Sequence, residues 1–257
     1  MASGITSRHF KTFSEHFKSF EDMYVLIGGS ATSLLMEEAG LNSRTTKDLD
    51  LVLCVEALDD KFVNRFWEFV RLGGYSIINR STGEKCFYRF TNPVNDNYPF
   101  MLEILSNNVD ILGNRDSGSI VTLTIKDELV SLSAILLIHE YYEFIMALKT
   151  TIQDITIADH RVIIPLKSRA YLDLIERKQM GEHVNADDIK KHKNDIFRLS
   201  QLLVKEFLNI TPEVVKHDIR RFVTSITDDD TVLKQLKIND LSMNEIKETL
   251  MLVYCNE

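Results

Sequence analysis

Asp48 and Asp50, one leucine apart at the head of the apolar run Leu51-Val52-Leu53-Cys54-Val55, are the residues best equipped for chemistry in this chain. Alternate side chains on a strand share a face, so the two carboxylates point the same way, roughly 6.6 Å apart at the backbone. Two such groups repel unless a proton or a cation lies between them. Earlier in the chain, Gly28-Gly29-Ser30 stands where the apolar run Met23-Tyr24-Val25-Leu26-Ile27 gives way to the amphipathic segment Ala31-Thr32-Ser33-Leu34-Leu35. That order reads as strand, tight turn, helix. Glycine admits positive φ and a close anion approach, and a helix start presents free N–H groups to phosphate. A phosphate-cradling turn beside paired carboxylates suits metal-assisted phosphoryl or nucleotidyl transfer. The plainer reading, two aspartates exposed at a strand end or capping a turn after Thr46, stays open.

A third carboxylate would complete a cation site, and Glu103 is the candidate. It stands inside the apolar stretch Phe100-Met101-Leu102-Glu103-Ile104-Leu105, where a glutamate is costly unless paired or bound to metal. If that strand neighbours residues 48–55, Glu103 joins Asp48 and Asp50 around two Mg²⁺ ions about 3.5–4 Å apart. An edge-strand glutamate facing water is the alternative.

The elements that must position these groups follow from periodicity and punctuation. Phe10, Phe13, Phe17 and Phe20 recur at helical spacing. A strand over 23–28, a helix over 30–39 ended by Gly40 and a strand over 48–55 come next. Asp60 to Leu72 predicts a helix stopped by Gly73-Gly74, with Trp67 in the core. Short strands are expected at Tyr75–Asn79, Lys85–Phe90, Phe100–Leu105 and Ser119–Ile125, with a turn or hairpin loop over Thr91–Asn97. Beyond residue 128 the pattern is mainly helical. Pro165 reads as the N1 proline of one helix and Thr211-Pro212 as the N-cap and N1 of another. Ser242 to Glu245 fits a capping box. The expected architecture is α+β: a mixed β-sheet domain with flanking helices over 1–127, then a mainly helical region over 128–257, the boundary falling within 127–160.

The bulk composition narrows the function classes. The chain has 257 residues and a net charge of −8, which argues against a protein that coats nucleic acid nonspecifically. Three widely spaced cysteines, Cys54, Cys86 and Cys255, form no CxxC pair and give no zinc signature. No apolar stretch has the length of a membrane span, and no leader-like segment opens the sequence, so a cytoplasmic protein with no membrane partner is expected. The histidines lack ligand spacing.

The block Gly28-Gly29-Ser30-Ala31 followed by Arg44-x-Thr46-x-Asp48-x-Asp50 resembles the DNA-polymerase-β-like nucleotidyltransferase superfamily. Within it the chain is similar to the AbiEii-type nucleotidyltransferases, the toxin component of type IV toxin–antitoxin systems. The later motifs of that family would fall at Pro165-Leu166-Lys167-Ser168-Arg169-Ala170 and Lys191-His192-Lys193-Asn194-Asp195. Asn194 departs from the basic residue that often precedes the aspartate, and Lys178–Asp188 is an insert. The resemblance implies an NTP substrate, Mg²⁺ on Asp48 and Asp50, to which the residues alone add Glu103, and nucleotide contacts from Gly28, Gly29, Ser30, Arg44, Thr46 and Lys167. It also implies an acceptor-side role for Asp195, an RNA acceptor such as a tRNA end, and a cognate antitoxin as partner. From the residues alone, Lys167 also reads as a surface lysine in a first helical turn, and Asp195 as half of a surface pair with Lys191. Transfer to a small molecule or protein, and a silent nucleotide- or partner-binding relative, are the rival readings.

Overall fold

The computed structural model describes residues 4–44, 46, 48–54, 59–77, 87–105 and 138–256. These fall into two compact units. One gathers the described residues up to 38, those from 42 to 105, and 149–158; the other gathers 39–41, 138–148 and 159–256. The chain therefore crosses between units more than once around the expected boundary. The fold class is α+β, as the sequence pattern predicts.

The first unit is a seven-stranded mixed sheet with helices α1 (Gly4–His16), α2 (Gly28–Glu38) and α3 (Asp60–Gly73). Its strands are β1 (Tyr24–Ile27), β2 (Asp48–Leu53), β3 (Ser76–Ile77), β4 (Phe87–Thr91), β5 (Met101–Leu105), β6 (Lys149–Ile152) and β7 (Ile155–Ala158), in the order β3-β4-β5-β2-β1-β7-β6. β1 is buried along its whole length, as a central strand covered on both faces must be. It runs antiparallel to β2 and parallel to β7, while β2 and β5 are parallel.

Helices α2 and α3 lie within about two residues of where the sequence signals put them. Asp59 caps α3 by accepting from the Phe62 amide at 2.8 Å, and Gly74 ends it in the left-handed region at φ +64°. Phe62, Phe66, Phe69 and Val70 form the buried stripe of α3. Phe13 and Phe17 meet that stripe and Tyr24 in an aromatic cluster, Phe13 lying edge-on to Phe69 at 5.8 Å. Trp67 is half-buried rather than fully core, edge-on to Phe90.

The second unit is built from α4 (His139–Ala147), α5 (His160–Gln179), α6 (Ala186–Ser200), α7 (Glu213–Ser225), α8 (Thr231–Gln235) and α9 (Met243–Cys255). The capping box at Ser242 and Glu245 forms as predicted. Three expectations need correction. The hairpin β6–β7 was not signalled; its strands are four residues each, too short for a period to declare itself, and its turn uses Gln153 and Asp154 at positive φ rather than glycine. Pro212 is itself the cap preceding α7, not its first helical residue. Pro165 lies inside α5, which starts at His160. A proline there cannot donate to the Arg161 carbonyl four residues earlier. The Tyr254 hydroxyl donates to that carbonyl instead, at 3.0 Å, so the helix runs on. The strand expected at Ser119–Ile125 lies outside the described residues.

Candidate active site

The site in the sheet unit grows from the register of three adjacent strands. Asp50 stands directly across from Glu103 on β5 and from Ile27 at the end of β1, and Asp48 from Met101. Paired residues share a face, so Asp48, Asp50 and Glu103 lie on one side of the sheet, as predicted. Gly28 follows Ile27 at φ +69°, and a Cβ on it would sit 2.0 Å from Asp50 Oδ2. Only glycine permits the turn to come this close to the acid. A Cβ on Gly29 would meet Arg44 Nη2 at 2.7 Å and Thr46 Oγ1 at 3.3 Å. The glycine turn, Arg44, Thr46 and the acidic pair are therefore one cluster, although Arg44 and Thr46 come from the irregular segment before β2.

Three hydroxyls fix the local geometry. Ser30 Oγ donates to the Asp48 carbonyl, tying the start of α2 to the start of β2. Thr32 Oγ1 donates to the Gly28 carbonyl at 2.8 Å, and Ser33 Oγ to the Arg44 carbonyl at 2.8 Å. The Ser30 side chain is thus committed to the fold, and any anion at the turn is left to the backbone N–H groups and Arg44.

Glu103 is buried, with 5% of its surface exposed, and Arg89 Nη2 on β4 reaches its Oε1 at 2.6 Å. Arg89 is the cross-strand partner of Glu103 and was not anticipated. Its signal was present: Arg89 and Glu103 are opposite charges in apolar strands, equidistant from the centre of the hairpin loop. Burial first, then the Asp50 charge, push the Glu103 carboxyl up from its usual 4.5 to about 9, against the pull of Arg89. A hydrogen bond to Asp50 adds to that rise. Burial and the neighbouring Asp50 charge thus favour the protonated form of Glu103 when no cation is bound.

The donor chemistry fits a hard divalent cation, since all three groups are carboxylates and a cation would relieve the crowding of negative charge. Among the described residues, no three His, Cys, Asp or Glu side chains converge as a ready cage. Mg²⁺ rarely has one: it is usually held by one or two carboxylates together with substrate phosphates and water. Asp48 and Asp50 meet that pattern.

Lys167 and Asp195 belong to the helical unit. Lys167 Nζ donates to Asp195 Oδ2 at 2.9 Å, with side chains 4% and 0% exposed, and Arg198 Nη1 holds the other oxygen at 3.2 Å. Lys167 sits two turns into α5, not in its first turn, so the expected conflict with the helix dipole does not arise. Nor is it a surface lysine. A second buried acid in this unit, Asp218, accepts from the Tyr141 hydroxyl at 2.9 Å and from Arg169 at 3.1 Å.

No protein-family model matches the chain, and comparison with curated proteins finds no match. One similar solved structure is an antigenic nucleotidyltransferase-like protein from Paracoccidioides brasiliensis, 14% identical, with 91% of this chain and 93% of that chain covered at a TM-score of 0.48. Likeness at that level assigns neither family nor activity. No helix among the described residues is long and apolar enough to cross a membrane.

Proposed function

We propose that this chain is a Mg²⁺-dependent nucleotidyltransferase that moves an NMP from an NTP to an acceptor hydroxyl. The observation that carries this reading is the contact between the glycine turn and the acidic strand: Asp50 Oδ2 lies where a Gly28 side chain would be. The Arg44 guanidinium beside Gly29 would meet the charge of a polyphosphate at the start of α2. Asp48 and Asp50 would hold the metal, with Glu103 as the third acid across from Asp50. When bound, Mg²⁺ supplies neutralisation of the phosphates and orientation of the reacting oxygens. The chain's own residues would position the α-phosphate for in-line attack.

The finer parts of the proposal come from the resemblance. Lys167 would contact the nucleotide, Asp195 would serve the acceptor, the acceptor would be RNA such as a tRNA end, and a cognate antitoxin would restrain the enzyme. A second reading, nucleotide binding without transfer, is favoured by the engagement of Glu103 with Arg89.

One assay separates these readings. Purified protein is incubated with Mg²⁺, each of four labelled NTPs, and RNA or cell extract. Label on RNA supports the toxin-like enzyme, and label on protein or a small molecule redirects the acceptor. No label anywhere, with retained NTP binding, leaves the silent reading standing.

A further inference from the structure

Two residues on the acidic face have no part in the reaction as proposed. Arg89 extends the row Asp50–Glu103, and Thr91 extends the row Asp48–Met101. Two apart on β4, they share that face. Across the sheet the order is therefore the Gly28 turn at the end of β1, the aspartates on β2, Glu103 on β5, and Arg89 with Thr91 on β4.

Thr91 is only 8% exposed, and its hydroxyl has no hydrogen-bond partner among the described residues. Arg89 Nε is buried and lacks one as well, although Nη2 is spent on Glu103. Native structures rarely leave such donors unmet. A group with two acceptor oxygens placed between the guanidinium edge and the hydroxyl would satisfy both, and a phosphate matches the arginine fork.

The sheet order tells whose phosphate it is. In-line transfer puts the attacking and leaving oxygens on opposite sides of the phosphorus. With the leaving pyrophosphate on the glycine-turn flank, the attacking hydroxyl enters from the β5–β4 flank. We infer that Arg89 and Thr91 form an oxyanion subsite for a phosphate carried by the acceptor close to its reacting hydroxyl. This rests on the nucleotidyl-transfer reading. A polynucleotide end and a phosphorylated sugar share that chemistry.

Fluorescence anisotropy with a short labelled RNA, with ribose 5-phosphate and ATP as competitors, tests it. Arg89→Gln and Thr91→Val each weaken RNA binding about tenfold, the loss of one strong hydrogen bond. Arg89→Gln also lowers the salt slope by about one. A neutral methylphosphonate at the last linkage causes the same loss in the wild type and none further in Arg89→Gln. ATP affinity is unchanged, and Thr91→Val keeps or raises Tm, which a purely structural threonine would not do. Loss of ribose 5-phosphate competition alone assigns the subsite to a phosphorylated small molecule. Equal affinities in all three proteins, an equal loss for ATP, or no binding of either phosphate ligand by the wild type overturns the subsite. Transfer that survives Asp48→Asn instead overturns the reading beneath it, and leaves the binding result intact.

Discussion

Asp50 and Gly28 fill one another's space: the carboxylate oxygen lies 2.0 Å from the point a methyl group on the glycine would occupy. Any side chain at position 28 would have to displace the Asp50 carboxylate. Gly28→Ala meets this clash and a φ of +69° together, and the left-handed backbone alone costs about 1–2 kcal/mol. The variant is expected to fold with a lower Tm and to lose nucleotide transfer at least a hundredfold. Full activity in a folded Gly28→Ala protein would remove the turn from the nucleotide site.

Asp48→Asn keeps the shape of the strand while deleting a charge that would hold the cation. Transfer should vanish, the circular-dichroism spectrum should persist, and chelation of Mg²⁺ in the wild type should reproduce the loss. A variant with wild-type turnover would end the metal assignment.

Glu103 makes the stability of the metal-free protein depend on pH. Burial and the Asp50 charge raise its carboxyl from 4.5 to about 9 in the fold, so the folded chain favours the extra proton between those values. The stability it contributes is complete below about pH 4.5 and is lost as pH climbs through about 9. In metal-free protein, Tm should fall over that window, and Glu103→Gln should flatten the fall. An identical pH profile for the two proteins would show that Glu103 is ionised in the fold.

Lys167 and Asp195 require a stability measurement beside a kinetic one. Removing one partner of a buried ion pair typically costs about 3–5 kcal/mol, and Arg198, which also holds Asp195, should soften that cost. Lys167→Ala should therefore unfold at lower denaturant. The resemblance further predicts a raised nucleotide KM. The apolar double replacement Lys167→Met with Asp195→Leu should recover stability but not activity. Recovery of both would make the pair purely structural.

Much of the site was legible because its signals are local. Leu49 between Asp48 and Asp50 fixes a shared face, and Gly28-Gly29 marks the turn. Glu103 betrayed itself as a charge among apolar neighbours. Arg89 escaped because its meaning lies in a cross-strand partner, which appears only when the chain is folded back about the loop beginning after Thr91. Pro165 misled for a similar reason: its tolerance inside α5 depends on Tyr254, 89 positions later in the numbering. The period-2 signal needs more than the four residues of β6 or β7 to emerge from noise. Lys167 looked solvent-facing because its partner lies 28 positions away, on the next helix.

The return of residues 149–158 to the sheet has a consequence during synthesis. β1 leaves the ribosome early and pairs with β2, but its other neighbour, β7, does not exist until residue 158 has emerged. Until then the nascent sheet has an open, fully apolar border at Tyr24–Ile27, the kind of edge that recruits strands from other chains. Translation past that point seals it.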